Sequence, residues 1–197
     1  MRKLFSLFMA VMLLCLPAFA WAEGESYADP DGRFTFPCPE GWTVLSKETI
    51  EDVLKVAETV QNEQFQQMVE SVKPQIEQMG IIILMSADYT CNINVVCQEG
   101  VDGVNGEVLL SLGDTLKSQL SAQFEDFVLE EEPELYEVGS WEPMMFAYEY
   151  SIVGIDMAGA QAYLPKDNSL MIFTLTAQKP QVEQGVSALM QVLLGLE

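Results

Sequence analysis

Histidine is absent from the 197 residues, and that removes Ser-His-Asp and Cys-His nucleophile pairs, histidine general bases and histidine-bearing metal sites together. What remains for chemistry is carboxylates, thiols and aromatic side chains. Thirty acidic residues guarantee accidental carboxylate pairs, so a carboxylate-dependent glycan hydrolase is an alternative that pairing alone does not establish. The densest acidic run is Glu130, Glu131, Glu132, Pro133 and Glu134, which could collect a hard cation such as calcium through oxygen ligands. The spacing of a calcium-binding loop is missing, so a solvated loop or strand edge is the simpler reading. Asp29, Asp31 and Gly32 meet that pattern only in part, and a turn before a strand explains them without an ion. Glycine-rich phosphate loops and paired CxxC motifs are also missing, and no cofactor is expected.

The aromatic candidates are Trp42, Trp141, Tyr148 and Tyr150. Trp42 follows Gly41 at a corner and serves either as a core plug or as a ligand platform, the core role being the default. Tyr148 and Tyr150 share a strand face with Phe146 and Ile152, so packing against a helix is their first role. Cys91 and Cys97 sit six residues apart in one extended run. Six strand residues span about 20 Å, whereas bridged cysteines need Cα atoms about 5.5 Å apart, so these two cannot pair if the strand forms. Cys38, between Pro37 and Pro39, pairs with one of them only if the fold brings them together.

Export frames all of this. Arg2 and Lys3 precede the apolar run from Leu4 to Leu16, Pro17 follows, and Ala20-Trp21-Ala22 offers small residues before Glu23. These are the elements of a signal peptide cut between Ala22 and Glu23, giving residues 1–22 as leader and 23–197 as one mature domain. Cys15 raises the possibility of a lipid anchor, but Leu13 and Leu14 stand where a lipoprotein signal wants small residues. No later stretch reaches the roughly 20 apolar residues of a membrane helix. Loss of the leader removes two of the nine basic residues, leaving seven against thirty acidic, a net charge of −23. Such a field repels nucleic acid and anionic lipid. A chain of this size buries roughly 70% of its unfolded surface, so neither disulfide nor metal is required for folding.

The elements follow from periodicity. Arg33 to Phe36 alternates and ends at Pro37, a short first strand. Ser46 offers a cap for a helix with Ile50, Val53, Leu54, Ala57 and Val60 inward; the phase slips across Gln61 to Gln64 and resumes at Phe65, Met68, Val69, Val72, Ile76 and Met79, with a break or kink expected near Pro74. Ile81 to Met85 is unbroken and apolar, a strand covered on both faces, and the cysteine-bearing strand follows. Leu109, Leu112, Leu116, Leu120, Phe124 and Phe127 recur at helical spacing. Phe146 to Ile152 and Met157 to Leu164 form a hairpin about Gly154. Leu170 to Thr176, apolar on both faces, belongs centrally, and a closing helix after Pro180 carries Val182, Val186, Leu189, Met190 and Leu193. Short connections make the sheet mainly antiparallel, and strands covered on both faces require helices above and below: an α+β, three-layer α/β/α sandwich.

The segment Tyr27, Asp29-Pro30-Asp31-Gly32-Arg33-Phe34-Thr35-Phe36, then Pro37-Cys38-Pro39-Glu40-Gly41-Trp42, resembles the opening of the PsbP-like proteins, in which a short strand leads into a Pro-x-Gly-Trp corner. Ser86-Ala87-Asp88 leading to Asn92-Ile93-Asn94-Val95 is similar to that family's strand pair before its middle helix. The resemblance covers most of the mature chain and implies the sandwich shared by PsbP-type subunits, Mog-type proteins and many exported bacterial proteins. It further implies a binding or accessory role rather than an enzymatic one, with another extracytoplasmic protein or a small ligand as partner. A calcium-responsive surface protein is the other alternative. The long first helical region and the extreme acidity depart from the family, so no photosynthetic or transport role carries over.

Overall fold

The computed structural model describes residues 26–59 and 63–197. The expected leader, the cut between Ala22 and Glu23, and part of the stretch where the helical phase slips lie outside these residues. A two-stranded sheet of β1 (Ser26–Ala28) and β2 (Thr35–Pro37) precedes β3 (Trp42–Leu45), then helices α1 (Ile50–Thr59) and α2 (Glu63–Met79). β4 (Ile82–Ser86), β5 (Cys91–Glu99), α3 (Gly106–Gln123) and β6 (Glu125–Leu135) follow. β7 (Met144–Ile152), β8 (Ile155–Lys166), β9 (Ser169–Gln178) and α4 (Val182–Leu194) complete the chain. The main sheet has seven strands in the order β3-β4-β5-β9-β8-β7-β6, antiparallel at every pairing. β9 is thus the middle strand, as its apolar content predicts.

Helices cover the two faces unequally. On one face, Ala188, Leu189, Val192 and Leu193 of α4 pack on Ile93, Val95, Ala160, Ala162, Phe173 and Leu175. On the other, α1 and α2 bring Ile50, Val53, Ala57, Val69, Val72 and Ile76 against Leu45, Ile83 and Met85 at the β3–β4 end. At the opposite end of that second face, Leu109 and Leu120 of α3 meet Met144, Phe146, Tyr148, Tyr150 and Tyr163. The three layers are present, and the second face carries two separate helical covers. β5 and β9 run between them.

Close approach, not leucine spacing, sets the rotation of two helices. α3 lies on β6 through Gly106 and Gly113, where a Cβ would sit 2.8 Å from Leu135 Cδ1 and 3.0 Å from Pro133 Cβ. That contact turns Leu112 outward to 45% exposure, against its expected place in the buried stripe. Phe127 is likewise not helical: α3 ends at Gln123, and Phe127 lies on β6 with its ring on Tyr148. α4 approaches through Gly185, whose added Cβ would meet Leu175 Cδ1 at 2.8 Å, so Ala188 and Val192 are buried and Val186 is 41% exposed. The kink expected near Pro74 is not an end: α2 runs through Pro74 to Met79, leaving only the Glu70 carbonyl without its usual helical donor.

Candidate binding site

β5, β9 and β8 present alternate residues to the second face, between the two helical covers. In register, Asn92 stands opposite Thr176 and Asn94 opposite Thr174 across β5–β9. Thr176 then faces Gly159 and Thr174 faces Gln161 across β9–β8. Directly opposed residues of an antiparallel pair share a face. The result is a furrow floored by Asn92, Asn94, Thr174, Thr176 and Gln161. β4 and β7, its flanking strands, are four strand steps apart, roughly 19 Å. Asn94, Thr174 and Gln161 are half-buried. No floor position on these strands carries a charge.

One end of the furrow is closed and polar. Asn92 is 3% exposed, Thr176 1% and Tyr150 2%. Among the described residues, Asn92 Oδ1, Thr176 Oγ1 and the Tyr150 hydroxyl have no hydrogen-bond partner. Leaving a buried polar group unpaired costs about 1–3 kcal/mol, and native proteins keep such groups few. Three such groups lie together here, Asn92 opposite Thr176 in register and Tyr150 beside Thr176. Burial pushes Tyr150 up to about 12, and nearby Thr176 offsets part of that rise although the two oxygens do not meet in hydrogen-bond geometry. Burial also pushes Tyr163 up to about 12, and its hydroxyl donates to Gln161 Oε1 at 2.6 Å. These phenols stay neutral throughout the physiological range, as donors and acceptors rather than bases.

Glycine makes room for this cluster. A Cβ on Gly159 would sit 2.6 Å from Cε2 and Cζ of Tyr148, so the ring lies across the strand where another residue would stand. Phe124 and Phe127 pack on Tyr148, and Phe124 also on Tyr150, its centroid 4.2 Å away, which fixes the aromatic wall.

The candidate residues of the sequence keep their packing roles or lie away from the furrow. Tyr148 and Tyr150 do pack under a helix as expected, and their hydroxyl ends also border the furrow. Trp42 is a core residue at 5% exposure. It lines a cavity of about 210 Å³ with Tyr27, Cys38, Glu48 and Asp52 at the β3 edge. The polar groups there satisfy one another: Ser46 Oγ donates to Glu48 Oε2 at 2.8 Å, Tyr27 lies 3.5 Å from the same oxygen, and Cys38 Sγ donates to the Trp42 carbonyl. Burial and then Glu48 push Tyr27 up to about 12. Trp141 donates from Nε1 to the Leu196 carbonyl at 3.1 Å, and Lys166 stands over its ring.

Glu130, Glu131, Glu132 and Glu134 lie on β6, the edge strand, all exposed, with register shifts at Glu131 and Glu134. Glu132 accepts from Lys117 of α3 at 2.7 Å. Among the described residues no three His, Cys, Asp or Glu side chains gather as a metal site. Asp29 is engaged by Arg33, which donates from Nε and Nη2 to its two oxygens at 2.7 and 2.6 Å, and by the backbone amides of Asp31 and Arg33. Cys38, Cys91 and Cys97 form no disulfide, and Cys91 is buried on the α4 face, its thiol pushed up to about 11 by burial. No described helix is long and apolar enough to cross a membrane.

The furrow itself was not anticipated from sequence. The strand from Leu170 to Thr176 reads as apolar on both faces, yet Thr174 and Thr176 occupy one of them. A signal existed: Asn92 and Asn94 alternating with Ile93 and Val95, and Thr174 and Thr176 alternating with Phe173 and Leu175, put polar rows into what must be inner strands.

No protein-family model and no curated protein matches the chain. Solved structures do. The solution structure of CyanoP, the cyanobacterial PsbP of Synechocystis, matches at 12% identity over 94% of this chain and 98% of that one, with a TM-score of 0.56. The Ran-binding protein Mog1p of Saccharomyces cerevisiae matches at 7% identity over 90% and 96%, with a TM-score of 0.51. A Bacteroides thetaiotaomicron protein matches at 11% identity over 89% of this chain, TM-score 0.54; the chain spans about half of its length, 48%. The protein therefore has the PsbP and Mog1p fold, an α/β/α sandwich on an antiparallel sheet, as its Pro-x-Gly-Trp corner leads one to expect.

Proposed function

We propose that this is an exported, noncatalytic binding domain that holds a ligand or docks a partner over the furrow of β5, β9 and β8. The observation carrying this reading is the cluster of buried, unpartnered Asn92, Thr176 and Tyr150 groups at the end of an uncharged polar floor. Groups of this kind hold and orient; with tyrosines kept neutral and no carboxylate or thiol among them, they are poorly suited to proton transfer or nucleophilic attack. The resemblance in fold to a protein named for binding Ran agrees with a binding role. The leader read from residues 1–22, with its cut before Glu23, supports export and a mature unit of residues 23–197.

The test has two arms. Protein recovered from outside the cytoplasm of an expressing cell is sequenced from its N-terminus, and Glu23 as first residue is the expected outcome. That protein and a variant with the furrow filled, Thr174→Leu with Gln161→Leu, are then immobilised and exposed to the envelope and secreted fractions. A component retained by the wild type and lost by the variant supports the reading; equal retention by both removes the furrow from it.

A further inference from the structure

From the same furrow we infer the class of its ligand: a small uncharged molecule rich in hydroxyl or amide groups, with the character of a neutral sugar. This rests on the binding reading above and goes beyond it. Asn92 Oδ1 accepts only, while the Thr176 and Tyr150 hydroxyls both donate and accept. A ligand satisfying all three must offer at least one donor together with groups that play both parts, which is what hydroxyls do. The rest of the floor, Asn94, Thr174 and Gln161, adds amide and hydroxyl groups of the same neutral kind, half-buried and in one continuous row.

Charge narrows the class further. No arginine or lysine stands on the floor to neutralise a carboxylate or phosphate, and the chain's net charge of −21 opposes an anion's approach. No carboxylate stands there to hold a cation. An apolar ligand is disfavoured too, because it would leave Asn92, Thr176 and Tyr150 buried and unpaired, the penalty by which sites built for hydrogen bonding reject analogues that lack the groups. The aromatic wall of Phe124, Tyr148 and Tyr150 supplies the apolar flank that a ring with its own C–H surface needs.

The probe is N-acetylglucosamine, which carries several hydroxyls and one amide and no charge. Two others accompany it: glucuronate, with a similar ring and a carboxylate, and p-cresol, an apolar ring with one hydroxyl. Each is titrated into the protein of residues 23–197 while backbone and side-chain amide resonances are followed. The expected result is saturable shifts for N-acetylglucosamine at the side-chain amides of Asn92, Asn94 and Gln161, and none for glucuronate. Thr176→Val weakens that binding about tenfold, the loss of one ligand hydrogen bond, while Thr176→Ser preserves it. If Thr176→Val proves unstable, Thr174→Val at the half-buried position makes the same comparison. Shifts at the furrow with p-cresol alone overturn the ligand class and leave the binding role standing. Equal shifts with glucuronate, N-acetylglucosamine shifts confined to other surfaces, or no shifts with any probe also overturn it. The capture experiment then judges the binding role separately.

Discussion

Gly159 of β8 lies directly beneath the ring of Tyr148 from β7, close enough that a Cβ at position 159 would fall 2.6 Å from Cε2 and Cζ and 2.9 Å from the hydroxyl oxygen. The two are also register partners. Glycine at this position therefore sets where an aromatic side chain and its hydroxyl stand, at the border of the polar furrow.

Gly159→Ala drives a methyl into that ring. Tyr148 is 2% exposed and is held by Phe124, Phe127, Phe146 and Tyr150, so it has little room to yield. Overpacking of this kind costs about 1–3 kcal/mol. Urea unfolding of the alanine variant should show a loss within that range at an unchanged slope. A neutral outcome would mean that the ring moves aside freely and does not fix the wall of the furrow.

Thr176→Val should act in the opposite direction on stability. The substitution keeps the shape and deletes a hydroxyl that has no partner at 1% exposure, so the unpaired-group penalty disappears. A gain of up to about 1–3 kcal/mol is expected, read as a higher denaturant midpoint in the absence of ligand. A clear loss instead would show that the hydroxyl is engaged in the folded protein, and the furrow would lose one of its three defining groups.

The sandwich was legible because its strands declare themselves by alternation and its helices by stripes. Ile82 to Ser86, buried at every position, could only be an inner strand. What misled was local close packing. Gly106, Gly113 and Gly185 bring their helices nearer the sheet than leucine or valine would, which rotates Leu112 and Val186 to the surface. A hydrophobic stripe counts side chains and is blind to contacts made by their absence. The acidic run Glu130, Glu131, Glu132, Pro133 and Glu134 reads as a loop or a strand edge, and it is the edge strand β6, which tolerates proline, charge and bulges. The furrow needed registers between β5, β9 and β8, and the β5–β9 register joins residues as far apart in the chain as Cys91 and Ala177, beyond any local pattern.

Asp29 and Arg33 predict an acid-sensitive contribution to stability. Arg33 first, through paired hydrogen bonds, and then the backbone amides hold the Asp29 carboxyl below the usual carboxylate range. A carboxyl whose folded value is depressed contributes fully above its unfolded value near pH 3.9 and loses that contribution as pH falls through the folded value. Asp29→Asn should therefore cost about 1–3 kcal/mol at neutral pH and reduce the dependence of the denaturant midpoint on pH below about 4. An unchanged acid profile in the variant would exclude this pair as its source.

The core tyrosines predict the alkaline limit of the fold. Burial pushes Tyr150 and Tyr163 up to about 12 and Tyr148 higher still. For an acid whose folded value is raised, the stabilising neutral form is fully present below the unfolded value near 10, and its contribution is lost as pH climbs through the folded value. Tyr136, half-buried beside Glu131, is the most accessible of the remaining phenols and should ionise with the fold intact, whereas those of Tyr148, Tyr150 and Tyr163 should ionise only as the sheet opens. A spectrophotometric titration followed in parallel by circular dichroism should show two phases. The first is a partial rise in tyrosinate absorbance with the fold intact, and the second a cooperative rise coinciding with loss of structure above pH 10. Complete ionisation with the dichroism still native would mean that solvent reaches these hydroxyls in the folded protein, and the closed end of the furrow would not exist.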